Sequence, residues 1–250
     1  MPHLTGTGTG LPATGADRLG FGVPGYAHPL LAPVEWAELT RPGVPVHWAV
    51  LNVADGPGAW PDPHCLEAAT RLRNAGVRVL GHLGLGGGDR PFGDTVSEAH
   101  RHLDWYRVDG YFLARCPTQR QDLPEVRRLT ATLKALLDRV DGGHLVLGHG
   151  GPPHPGYADT ADQLVTFSGS WAEYRWSQAA EWTADHPPER FVHFVHGVPR
   201  AHLGEAVRIA RWQGAGTVFF TDRTGQTGPF AALPGYWDEI VSQIGPGVSE

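Results

Sequence analysis

The chain has 250 residues, 41% of them hydrophobic, and a formal net charge of −6. That length suits one large domain, and the acidic balance excludes the basic surface that a nucleic-acid partner requires. No run approaches the ~18 apolar residues of a membrane span, and Cys65 and Cys116 fall in different predicted units, so neither a membrane partner nor a disulfide framework is expected.

Residues 1–19 are rich in Gly, Thr and Pro. They lack an apolar core flanked by basic residues and do not read as a secretory signal. They are expected to be a disordered arm ahead of a single domain at 20–250, and the expected location is the cytoplasm.

From residue 20 the chain alternates short apolar runs with amphipathic stretches. The runs at 20–26, 47–53, 77–83, 110–113, 144–148, 163–167, 191–195 and 217–221 read as strands. Their near-continuous apolar character fits strands covered on both faces. Helical periodicity fills most gaps. Residues 63–75 place Leu66, Ala69 and Leu72 on one stripe and stop at Gly76. Residues 124–140 do the same with Val126, Leu129, Leu133, Leu136 and Leu137. Residues 170–184 open with Ser170 as N-cap and Glu173 at the capping-box position. Two further helices are predicted at 199–214 and 233–244, while the fifth unit, 156–162, has room only for a short one. Eight β-then-α units predict a single α/β domain of the (β/α)8 TIM-barrel class.

In such barrels the working side chains lie where strands end and βα loops begin. That rule selects Tyr26 and His28, Asn52 and Asp55, His82, Arg115 and Cys116, His149, Ser168, His196, and Asp222 with Arg223. His82, His149, His196 and Asp222 are the acid–base candidates, because an unperturbed imidazole titrates near neutrality. Tyr26, Asn52, Arg115, Ser168 and Cys116 are candidates for holding a ligand, and Trp105 for stacking on a sugar ring. Arg115 reads either as a planar clamp for a carboxylate or phosphate or as an internal partner of Asp55 or Asp222. Cys116 reads as a thiol activated by Arg115 or as a small buried hydrophobe. His193 and His196 are an odd step apart, so only one of them faces the mouth. No His-Glu-x-x-His or similar spacing points to a metal, and no cofactor is implied.

Several motifs occur in a telling order. They are Pro24-x-Tyr26, the segment Leu51-Asn52-Val53-Ala54-Asp55-Gly56-Pro57-Gly58, Val79-Leu80-Gly81-His82, and Trp105-Tyr106 before Val108-Asp109-Gly110. Ala161-Asp162-x-x-Val165-Thr166-Phe167, Thr221-Asp222 and Leu233-Pro234-x-Tyr236-Trp237 follow. In this series, from about residue 22 to 244, the chain resembles the spherulin-4 (spherulation-specific) family, whose clan relatives cut amino-sugar polysaccharides. The resemblance implies an aspartate–glutamate pair after Phe112-Leu113, where this chain has Ala114 and Arg115. It implies a second glutamate after Phe167, where this chain has Ser168.

Glycosidases normally place two carboxylates across the bond they cut. The resemblance therefore implies a barrel that kept its pocket without hydrolytic acids. The expected function is non-hydrolytic acid–base chemistry, of isomerase, lyase or cyclase type, on a small anionic or sugar-like metabolite, in a biosynthetic setting inside the cell. One alternative is a catalytically inactive protein that binds a carbohydrate or a partner. Another is a residual glycoside hydrolase using Asp222.

Overall fold

A computed structural model describes residues 19–25, 27–224 and 228–244. Eight parallel strands close into a barrel in sequence order: β1 (Gly20–Val23), β2 (Val46–Leu51), β3 (Arg78–Gly84), β4 (Gly110–Cys116), β5 (His144–His149), β6 (Gln163–Ser170), β7 (Phe191–His196) and β8 (Thr217–Thr221), with β8 pairing back onto β1. The fold is the expected (β/α)8 barrel. Residues 1–18 of the predicted arm lie outside the described residues. Among the described residues no helix is long and apolar enough to cross a membrane.

The barrel interior is filled rather than hollow. Trp48, Phe112 and Phe194 meet with ring centroids 5.8–6.2 Å apart. The Trp48 indole N–H donates to Gln163 Oε1 at 2.7 Å. Gln163 Nε2 in turn donates to Thr217 Oγ1 and to the carbonyl of Glu189. His47 and His144 join the same network through Thr217 and Gln163. Room for the indole comes from Gly22, where a Cβ would lie 2.4 Å from the ring.

The outer layer comprises α1 (Pro33–Glu38), α2 (Pro63–Asn74), α3 (Phe92–Tyr106), α4 (Leu123–Leu137), α5 (Trp171–Tyr174), α6 (Leu203–Trp212) and α7 (Trp237–Ile244). Asp62 caps α2 by accepting from the N–H groups of His64 and Cys65. The buried stripe of α2 is Cys65, Ala68, Ala69 and Leu72, whereas Leu66 is 37% exposed. The predicted stripe included Leu66 because it is apolar; the small residues beside it allow the helix to sit close to the sheet.

The helix predicted over 170–184 is cut to four residues. Its capping box forms as expected, with Ser170 and Glu173 bonded reciprocally. It then stops because Ser177 turns its hydroxyl back to the Tyr174 carbonyl, and Gln213 Nε2 donates to both the carbonyl and the hydroxyl of Ser177. A side chain that bonds the local backbone competes with the helix ladder. Residues 175–180 leave the helical path, and a 3-10 segment follows at Glu181–Asp185.

Two glycine substitutions test this packing. A Cβ on Gly110 would lie 1.8 Å from the His144 carbonyl oxygen, while one on Gly93 in the first turn of α3 meets nothing within 4 Å. Gly110→Ala is expected to lower the unfolding free energy in urea by about 3 kcal/mol or to prevent folding. Gly93→Ala is expected to raise it by up to ~1 kcal/mol. Equal midpoints for the two variants would contradict this register.

Candidate active site at the barrel mouth

The aromatic fill sets the level of the mouth. Phe230 covers it on one side, packing on Phe194, Phe219 and His196 at 5.7, 6.1 and 6.3 Å. Side chains above that fill are the ones a ligand can reach. Strand parity places Asn52 on the face of Trp48, His82 on the face of Leu80, and Ala114 on the face of Phe112. Ser168 pairs across β6 and β7 with Phe194, and His196 pairs with Ser170 and Thr221. These residues form the inner rim.

A charged cluster stands over β2, β3 and β4. Arg115 Nη2 lies 3.6 Å from Asp55 Oδ2, and the other Asp55 oxygen lies 3.9 Å from His82 Nδ1. Asp55 and Arg115 have φ of 52° and 54°, and among the described residues Arg107 is the only other non-glycine residue with positive φ. Left-handed backbone is costly for such residues and persists where the surroundings impose it. Asn52 imposes it on Asp55: its Oδ1 accepts from Gly56 N at 3.1 Å and folds the loop. A bulge imposes it on Arg115, because the β4–β5 register jumps from Ala114 opposite Gly148 to Cys116 opposite His149. The guanidinium then lies over Gly84, where a Cβ would come within 3.3 Å of it. Arg90 holds the Gly84 carbonyl and pairs with Glu98.

His82 is buried, and burial holds its pKa below the ordinary imidazole value. Asp55 opposes that shift, and Arg115 and Arg90 add to it. The ring is therefore neutral at pH 7. Its Nδ1 is buried without a hydrogen-bond partner. Such an atom in a native core calls for a role, and here it faces a carboxylate and a guanidinium at the mouth.

Across the mouth stands a second group. Glu173 accepts from the Ser170 N–H at 3.0 Å and its hydroxyl at 2.7 Å, and these bonds, with His196 nearby, hold its carboxyl below the usual range. In the sequence Glu173 reads only as a helix cap. Its place in the first turn after a strand end is the signal that it also belongs to the rim.

Other candidates go elsewhere. His149 follows Gly148, which packs on the Phe112 ring inside the barrel, so His149 faces outward. Its Nδ1 bonds the Pro117 carbonyl at 3.0 Å and its ring lies 5.0 Å from Tyr157. Cys116 is buried, with its thiol pushed up by desolvation and by Asp122; both cysteines are free. Asp222 is exposed and accepts from Gly235 N at 3.2 Å, tying the chain before α7 to the end of β8. Trp105 lies on the last turn of α3 with Arg101 stacked 5.8 Å over it, on the helical ring rather than at the mouth. Tyr26 lies outside the described residues.

Among the described residues one set of donors has metal-ligand types: His28, Asp62 and Cys65, with donor atoms within 4.8 Å of one another. As it stands it is a helix cap. His28 Nδ1 accepts from Leu30 N, so the hydrogen is on Nε2 and points at Asp62, 3.1 Å away. The Cys65 thiol is pushed up to about 12 by burial and by Asp62, which opposes a thiolate ligand.

Residues 21–244 match the model of spherulation-specific family 4, and the chain belongs to that family. No curated protein matches it significantly. Among solved structures, Aspergillus clavatus Sph3 in complex with GalNAc is similar, at 24% identity, covering 91% of this chain and 97% of that one, with a TM-score of 0.77. At that identity the likeness is one of fold.

The buried histidines give the protein a pH signature. Burial lowers His102 and His149 to about 4 and His193 to about 3, from 6.5. Each is neutral when folded, whereas the unfolded chain takes up its proton near 6.5. Stability is therefore complete above that pH and falls as the pH drops toward 4, by about 1.4 kcal/mol per pH unit for each such histidine. Urea unfolding followed from pH 7 to pH 5 measures this. A flat profile would mean that these rings are protonated in the native state.

Proposed function

We propose that this spherulation-specific family 4 barrel binds a small saccharide bearing a carboxylate or phosphate at its mouth and carries out proton transfer on it rather than glycoside hydrolysis. The observation that carries this reading is the Arg115–Asp55–His82 cluster, built on two left-handed residues. Family membership and the sugar in the Sph3 complex support a saccharide as the ligand class. Arg115 supports an anionic one, since its planar fork suits carboxylate and phosphate. It stands where the family resemblance implies an acid, beside Ala114 in place of another.

The Arg115–Asp55 pair supports exchange with a ligand. Both side chains are largely exposed, at 65% and 72%, and 3.6 Å is longer than a hydrogen bond. An exposed pair of that kind is worth ~1 kcal/mol or less, so an incoming anion displaces Asp55 at small cost. With a sugar acid bound, the proton on the carbon next to the carboxylate is the acidic one. The guanidinium stabilises the negative charge that develops on the carboxylate oxygens as that proton leaves. Neutral His82 is the base that receives it, and the Asp55 carboxylate beside its ring stabilises the imidazolium. Returning the proton gives isomerisation; expelling the group on the next carbon gives elimination. Asp222 accepts from Gly235 N and ties down the chain before α7, so Asp55 rather than Asp222 is the carboxylate of this reading.

Calorimetric titration with galacturonic acid tests the reading. Arg115→Ala is expected to weaken binding by roughly 10–100-fold, in line with ~1.5–3 kcal/mol for a charge-assisted bond. Arg115→Lys should recover part of the loss. If Arg115→Ala melts far below wild type while its folded fraction binds unchanged, Arg115 is a structural ion-pair member. Poly-galactosamine should release no reducing sugar; clear turnover that Asp222→Asn abolishes would favour a residual hydrolase.

A further inference from the structure

The truncation of α5 leaves the outer wall of the barrel incompletely covered at β6. Between that strand, the loop at 150–153 and residues 177–183 lies a cavity of about 330 Å³. This is within the ~300–1,000 Å³ range of small-molecule sites. Its lining combines the aromatic side chains Phe167 and Trp182 with Ser168, Glu173, Thr183 and Gln213. Ser168 belongs to the rim of the mouth through its pairing with Phe194, so the cavity opens beside the mouth.

We infer that this cavity is a second saccharide subsite, which takes an uncharged pyranose ring; the inference rests on the saccharide reading above. Aromatic walls suit the apolar C–H face of a sugar, and hydroxyl, amide and carboxylate groups suit its rim of hydroxyls. Among the described residues no Lys or Arg lines the cavity. His193 lines it too, but its Nδ1 bonds the Tyr174 hydroxyl, its Nε2 bonds Thr166 Oγ1, and burial keeps it neutral. Glu173 leaves the cavity negative, so an acidic ring is repelled here, whereas Arg115 attracts one at the mouth. The two places therefore sort the units of one saccharide by charge.

The walls are fixed before a ligand arrives. Gln213 bonds Ser177 through its Nε2, and the Trp182 ring packs against Phe191 at 5.6 Å. A register shift in β6 between Val165 and Phe167 turns this stretch of strand relative to β7. A preformed pocket loses little freedom on binding.

The test follows the Trp182 indole N–H by NMR, assigned through Trp182→Phe, while N-acetylgalactosamine or galacturonic acid is added to the full chain. N-acetylgalactosamine should shift the Trp182 signal saturably and galacturonic acid should not. Ala179→Trp places a bulky ring on the exposed edge of the cavity and should weaken N-acetylgalactosamine binding at least tenfold. A dispersed spectrum of that variant verifies its fold. Arg115→Ala should leave this binding unchanged. A Trp182 signal that stays still up to about 50 mM sugar, where a millimolar ligand saturates, overturns the subsite. So does N-acetylgalactosamine binding that Arg115→Ala abolishes and Ala179→Trp leaves intact. Failure of the mouth reading looks different: galacturonic acid binds without dependence on Arg115 while the Trp182 response persists.

Discussion

A tryptophan placed inside a closed barrel must find an acceptor for its indole N–H, and much of this molecule is arranged around that demand. Leaving such a donor unpaired costs about 1–3 kcal/mol. Trp48 meets it through Gln163, and Gln163 is satisfied by Thr217 and the Glu189 carbonyl. The same indole requires a glycine at position 22 and packs against Phe112 and Phe194. With the barrel filled to that height and Phe230 laid across one side, a ligand has no deep channel to enter. Ligand access is confined to the rim, where β2, β3 and β4 end near Asn52, His82 and Arg115.

Rigid fill below and strained backbone above divide the labour of the site. Asp55 and Arg115 hold left-handed conformations because an asparagine-closed loop and a β-bulge force them to. They face each other as an exposed pair beside a neutral, buried imidazole. A pair that solvent screens is weakly held, and burial favours the neutral form of the imidazole beside it. The bulge at Arg115 matters as much as the residue type. In a regular strand the side chain after Ala114 would point to the helical layer; with positive φ it lies over Gly84 instead.

The eight strands were legible because strands covered on both faces show as short apolar runs bounded by turn residues. The same property hid their orientation. Leu145, Val146 and Leu147 look alike whichever way they point, so nothing marks His149 as facing Tyr157 or His82 as facing the mouth. Picking residues at strand ends fixes a level along the barrel and ignores this parity. It therefore chose Cys116, His149 and Asp222 together with Asn52, His82, Arg115, Ser168 and His196. The helix predicted over 170–184 is too long for a related reason: its N-terminal capping box is local and visible, whereas the Gln213–Ser177 bonds that end it come from 36 residues away. The gap this leaves beside β6 has no sequence signature of its own.

The most direct measurement of the account is a crystal structure of the protein soaked with galacturonic acid. The sugar carboxylate should lie on the Arg115 guanidinium with Asp55 displaced from it, and the carbon next to that carboxylate should be within reach of the His82 ring. If Arg115 stays on Asp55 while the sugar occupies another part of the molecule, the mouth is not an anion site and the account fails.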